Sequence, residues 1–179
     1  MDLLDFDQAE LYFDEPLAQD VARLLEAAAD KYGSEEAESL LLRASLLAPQ
    51  HLMVLVALYR YYFYQHRFED ALLVGECTLA VVGRRLAFPE SWMYVREANL
   101  GAGVMRSMGL VRFYLMVLKA TGYINLRLGY FESGQAMLEK LVELDSHDRI
   151  GGKALLDVLY KTMNNEGNVE RNTKWTNLH

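Results

Sequence analysis

The chain is poor in the residues that staple or turn a fold: one cysteine, three prolines and twelve glycines in 179 residues. A lone thiol excludes an internal disulfide, and so few turn formers weigh against β-sandwiches and other turn-dense architectures. Cys77 sits in an apolar helical stretch, where a small packed hydrophobe in a reducing cytoplasm is the expected role. No long apolar run occurs either. The longest, Leu52 to Tyr59, ends at Arg60 and falls far short of the ~18 to 20 residues that span a bilayer. Met1-Asp2-Leu3-Leu4-Asp5 places acids where an export signal needs bases, so a cytoplasmic protein without membrane insertion is expected.

Basic charge is scarce as well, with 18 Lys and Arg against 25 Asp and Glu and a net charge of −7. The imbalance is uneven along the chain. Residues 1–49 hold twelve acids and three bases, whereas 84–127 hold seven bases (Arg84, Arg85, Arg96, Arg106, Arg112, Lys119, Arg127) and two acids. So acidic a first third disfavours nucleic acid as the principal ligand, because phosphate binding needs an attractive field. The basic middle suits an acidic peptide or the chain's own acidic end.

Motifs for chemistry are missing. Leu100-Gly101-Ala102-Gly103-Val104-Met105-Arg106 begins like a dinucleotide fingerprint, but arginine stands where close helix packing needs Gly or Ala, and no strand precedes it. His51, His66 and His147 fall at helix ends or turns, and none shares ligand spacing with Cys77. Ser146-His147-Asp148 has the residue types of a hydrolase triad, yet sequential neighbours cannot take its geometry. Glu139 and Glu143, one helical turn apart beside Lys140, read as a charged outer face. Neither an enzyme, a cofactor nor a metal is expected.

What the chain does have is a 52% hydrophobic content laid out with helical spacing. Asp14-Glu15-Pro16 marks a helix start, and Leu17, Val21, Leu24, Leu25 and Ala28 form one apolar face. After Lys31-Tyr32-Gly33 a second helix opens at Ser34, carries Ala37, Leu40, Leu41, Ala44 and Leu47 inward, and stops at Ala48-Pro49. Leu55, Leu58, Tyr59 and Tyr62, then Ala71, Val74, Thr78, Leu79 and Val82, repeat this grammar on either side of His66-Arg67. Ala37 and Ala71 are 34 residues apart, the period at which stacked helix pairs bury their faces only on one another.

A third copy runs from Ala120-Thr121-Gly122-Tyr123 through Leu128-Gly129-Tyr130-Phe131-Glu132-Ser133-Gly134 to Leu138 and Leu144-Asp145-Ser146. With Ser34-Glu35-Glu36-Ala37, Leu41, Ala44 and Pro49, and Arg67-Phe68-Glu69-Asp70-Ala71, it resembles the tetratricopeptide repeat (TPR) family, as a short bacterial-type member. The resemblance covers about 17–85 and 115–146. It implies an all-α, right-handed superhelical solenoid of about three helix-turn-helix repeats. Gly134 replaces the usual alanine, Asn125 a usual tyrosine, and Tyr59 a small residue, so irregular packing is expected there.

The resulting organisation is an acidic segment 1–15, a helical domain 16–164 and a polar tail 165–179. Gly134 follows Ala71 by 63 residues, short of two periods, so about 84–114 is expected to be an irregular insertion. Within it Phe88-Pro89-Glu90-Ser91-Trp92 reads as a loop, followed by one long helix through Met105, Met108, Val111, Leu115 and Leu118. A capping helix over roughly 148–163, with Ile150, Ala154, Leu155, Val158 and Leu159 inward, closes the stack.

The resemblance implies a concave groove lined by Arg23 and Glu26, then Arg60, Phe63 and Tyr64, then Lys119, Tyr123 and Arg127. Cations mixed with aromatics suit a protein segment bearing acids and apolar anchors. Capture of a terminal carboxylate, as some members of the family do, is excluded by Ala22 and Glu26 at the gripping positions. The expectation is a non-catalytic adaptor. Alternatives are a secretion-type or assembly chaperone, and a homodimer associating through Tyr59, Tyr61, Tyr62, Phe68, Trp92 and Met105. In a further alternative the segment from Asp2 to Glu15, with six acids among Leu3, Leu4, Phe6, Leu11, Tyr12 and Phe13, docks in its own groove.

Overall fold

Ser34 shows how locally the chain punctuates its helices. Its hydroxyl accepts from the Ala37 amide at 3.3 Å, and Glu35, Glu36 and Glu38 fill the first turn that follows, where the helix dipole favours negative charge. The computed structural model describes residues 15–163, and all regular structure among them is helical. The helices are α1 (Gln19–Asp30), α2 (Glu35–Leu47), α3 (Leu52–Tyr64), α4 (Phe68–Leu86), α5 (Glu97–Arg106), α6 (Met108–Arg127) and α7 (Phe131–Leu144). A further helix, α8, covers 152–163, and a 3-10 turn lies at Trp92–Tyr94.

α1 packs on α2, α3 on α4, and α6 on α7; α2 against α3 and α4 against α6 join these pairs. Ala37 and Ala71, the residues that mark the 34-residue spacing, are both fully buried. Glycines let the later helices approach closely. A Cβ at Gly134 would lie 2.5 Å from Leu126 Cδ2 and 2.9 Å from the Gly122 carbonyl, and one at Gly75 would meet Thr121 Oγ1 at 2.8 Å. α8 covers the far side of α7, with Leu156 and Leu159 buried against Leu138.

Several expectations need correction. The long helix through Met105 and Met108 is two helices, because Ser107 adopts an extended backbone and its hydroxyl accepts from Leu110 N at 3.2 Å. Apolar periodicity runs across this break, but a serine that caps the following turn competes with helix continuation. Of the segment 84–114, residues 84–86 complete α4 and 108–114 open α6, leaving 87–107 between them. α4 ends with Ala87 in the left-handed region (φ 55°), and Phe88 N returns to Gly83 O at 2.8 Å.

Cys77 is exposed rather than packed, since α4 turns Ala71, Gly75, Thr78 and Leu79 inward. Of the expected self-association cluster, Tyr59, Tyr61 and Tyr62 are buried, Phe68 and Trp92 half-buried and Met105 exposed. Tyr61 OH donates to Ser34 O at 3.1 Å and Arg67 lies 4.7 Å over the Tyr62 ring, so these phenols tie α3 to its neighbours. Residues 1–14 and 164–179 lie outside the described part of the chain, and with them the acidic segment up to Asp14 and the polar tail.

Candidate interaction surfaces

Six of the eight groove residues lie on two helices, α3 and α6. Phe63 and Tyr123 bring these helices together with ring centroids 6.4 Å apart, and Phe63 meets Tyr64 edge-on at 6.0 Å. Arg127 lies 4.7 Å above the Phe68 ring and donates to Tyr123 OH at 2.9 Å. Tyr32, from the α1–α2 turn, extends the row. Its ring meets Tyr64 at 6.1 Å and its hydroxyl donates to the Arg60 carbonyl at 3.3 Å. The outcome is a continuous strip in which Tyr32, Tyr64 and Arg127 are exposed and Arg60, Phe63 and Tyr123 half-buried.

Arg23 and Glu26 are exposed on α1, but no hydrogen bond or ion pair among the described residues ties them to the strip. Lys119 departs from its expected place as an open groove cation. It is buried, and its ammonium donates to the Ile150 carbonyl at 2.7 Å, linking α6 to the turn before α8. Its position repeats the helical spacing of Tyr123 and Arg127, but the α7–α8 turn covers it, and the contact with Ile150 cannot be read from α6 alone. Burial lowers the Lys119 pKa, with Asp148 opposing the shift.

The unfolded chain therefore holds the Lys119 proton more tightly than the folded one in the window between the lowered value and the ordinary ~10.4. Through that window the contribution of Lys119 to stability rises with pH. Urea unfolding from pH 8 to 11 should accordingly show wild type gaining stability relative to Lys119→Met as pH rises; parallel curves would contradict the burial effect.

A second concavity was not legible in the sequence. α5, the start of α6 and the turn after α7 enclose a cleft of about 420 Å³, lined by Leu100, Val104, Met108, Val111, Leu115, Leu144 and Ile150 with Arg112, His147 and Arg149. Its lining comes from three separated segments, so no local pattern marks it. The dinucleotide-like glycines belong to α5, where Gly103 packs on Phe88 and Val111. Glu139 accepts from Gln135 at 2.8 Å and from Tyr160 OH at 2.7 Å, while Glu143 pairs with Lys140 at 2.6 Å. These bonds hold both carboxyls below their ordinary pKa.

His51 caps α3, its Nδ1 accepting from Met53 N at 3.3 Å. Its buried Nε2 lies 3.9 Å from Glu15. No group of three or more His, Cys, Asp or Glu among the described residues is arranged to hold a metal, and no described helix is long and apolar enough to cross a membrane.

Among known proteins, the chain is 52% identical over 159 residues to the "Uncharacterized 19.8 kDa protein in nifW 5'region" of Azotobacter chroococcum mcd 1, covering 89% of each. The chain belongs to that protein's family. An alignment of this extent takes in at least part of both surfaces, since it spans all but a tenth of either sequence. No protein-family model matches the chain, and no solved structure matches it.

Proposed function

We propose that the protein is a non-catalytic, cytoplasmic interaction module, a tetratricopeptide-like solenoid that holds a segment of another protein along the α3–α6 strip. The observation that carries this reading is the strip itself: Tyr64 and Arg127 stand exposed on a base of Phe63, Phe68 and Tyr123 that the fold has already fixed. Ordered rings and a guanidinium stacked on them lose little freedom on binding, which is why such groups dominate binding energy at interfaces. The solenoid reading draws support from the equivalent burial of Ala37 and Ala71 and from the stacking of successive helix pairs. The preferred ligand carries acids for Arg60 and Arg127 and apolar side chains for the rings.

The test is an affinity capture from the native cytoplasm on wild type beside Arg60→Ala/Arg127→Glu, followed by titration of whatever is retained. The product of nifW is a natural first purified candidate, because the relative is encoded in the 5' region of that gene. A partner held by wild type should bind the double variant at least tenfold more weakly, equivalent to about 1.4 kcal/mol. Equal affinity for both proteins, with the variant melting as wild type does, rejects the strip as the binding surface.

A further inference from the structure

We infer that the cleft between α5, α6 and the α7–α8 turn is the seat of the chain's own residues 2–14. This assignment concerns a surface apart from the α3–α6 strip and stands whether or not the strip binds a partner.

The cleft has an apolar floor and a positive rim. Arg112 and Arg149 are exposed, and neither guanidinium has an ion pair or hydrogen bond among the described residues. Asp145, the acid in the lining, is occupied in accepting from Ile150 N at 2.7 Å. Beside the floor, Met105 is 87% exposed and Met108 64%. Methionine is an adaptable apolar contact, and Met108, in the lining of a hydrophobic cleft yet open to water, marks a surface suited to an apolar occupant, with Met105 of α5 exposed three residues before it.

Residues 2–14 have the complementary chemistry. They contain Asp2, Asp5, Asp7, Glu10 and Asp14 with no base, interleaved with Leu3, Leu4, Phe6, Leu11, Tyr12 and Phe13. Their point of departure is also on the right end of the molecule. Glu15 forms a two-pronged pair with Arg85 at 2.8 and 3.2 Å, and Arg85 also donates to Gln50 O at 2.7 Å. This places Glu15 where α3 begins and α4 ends.

From there the path to the cleft is short. Phe88, just beyond α4, packs on Gly103 of α5 and lies 5.1 Å from the Tyr114 ring of α6. Val104, the next residue of α5, lines the cleft. Thirteen extended residues reach about 45 Å, more than the width of a small helical domain, so the tether does not limit docking. A tethered segment also binds at a high effective concentration, so weak contacts suffice to keep it seated. Seating would neutralise Arg112 and Arg149 and cover Met108.

Photocrosslinking of the full chain tests this assignment. p-Benzoylphenylalanine replaces Phe6 or, separately, Phe13, and adducts are mapped by mass spectrometry after irradiation of dilute protein. The expected result is adducts within one chain at residues 100–112, with methionine the favoured acceptor. Their yield should fall at least fivefold in Arg112→Glu/Arg149→Glu and recover when Asp5→Lys and Asp7→Lys are added. Raising salt from 0.05 to 0.5 M should lower the wild-type yield without any substitution, because the Debye length shrinks to a few ångströms. Adducts joining two chains would assign the cleft to a second copy and overturn the proposal. Adducts on the Tyr64–Arg127 strip, or a yield indifferent to both charge reversal and salt, would overturn it as well.

Discussion

Phe113→Ala should lower the unfolding free energy by about 4 kcal/mol, within the range for truncating a buried aromatic ring. Phe113 is 1% exposed and sits in α6 where that helix meets α4. It also borders an existing void of about 20 Å³, shared with Leu55, Val56, Tyr59, Gly75, Thr78, Val117 and Ala120. Removing the ring enlarges a space that the surrounding helices have already failed to fill, so little relaxation is available to offset the loss. Tyr59 OH is buried with no hydrogen-bond partner among the described residues, and burial pushes its pKa up. The wall of the void is almost wholly apolar, so a water entering the larger space would recover little of the lost contact. Urea titration reads the change directly. Thermal unfolding should show a midpoint lower by roughly 10 to 15 °C for a domain of this size. A loss below about 2 kcal/mol would mean that α6 collapses onto α4 when the ring is removed.

Gly134→Val should cost about 3 kcal/mol, at the upper end for forced overpacking. Local preference argues the other way, because glycine inside a helix is disfavoured by about 1 kcal/mol relative to alanine. Contact decides the sign. The added Cβ would stand 2.5 Å from Leu126 Cδ2, 2.7 Å from Leu126 Cγ and 2.9 Å from the Gly122 carbonyl. A leucine can rotate away, but the carbonyl belongs to the α6 backbone and moves only with the helix. Gly122 is itself tight, with Met137 Cβ at 3.2 Å from its own notional Cβ, so α6 and α7 have no slack at this crossing. Gly134→Ala should destabilise in the same direction by about 1 kcal/mol, the clash outweighing the gain in propensity. Chemical unfolding of the two variants beside wild type checks both values. A stabilised alanine variant would show that Leu126 rotates away and that α6 yields at little cost.

Many of the helices were readable because their ends carry local chemistry of their own. Ser34 caps α2, Pro49 follows its last turn, and His66-Arg67 separates α3 from α4 as the spacing of apolar residues implies. Ser107 is the instructive exception. Its neighbours continue an apolar helical period, so the capping role of its hydroxyl was hidden by a pattern stronger than a single residue. Cys77 and the tyrosines of α3 went astray for one reason. Composition locates an apolar stretch, but α3 is enclosed on most sides, so even Tyr59, Tyr61 and Tyr62 are buried, while α4 keeps an open face on which Cys77 falls.

The candidate surfaces divide in the same manner. Phe63, Tyr64, Tyr123 and Arg127 were found because helical spacing places them on the same faces of α3 and α6, and the two helices then meet at Phe63 and Tyr123. Tyr32 and Phe68 were missed as members of the strip. They sit in a turn and at a helix start, where spacing along one helix gives no direction.

The amino-acid order alone settled the all-helical class and most helix boundaries, since caps and periodicity act over a few residues, but not every buried face: Leu47, Ala154 and Val158, expected inward, are exposed. Assembly in three dimensions settled the burial of Lys119 under Ile150, the close α6–α7 crossing at Gly134 and the cleft between α5, α6 and the α7–α8 turn. Each of these depends on segments that share no local interaction in the chain and meet only when the helices pack.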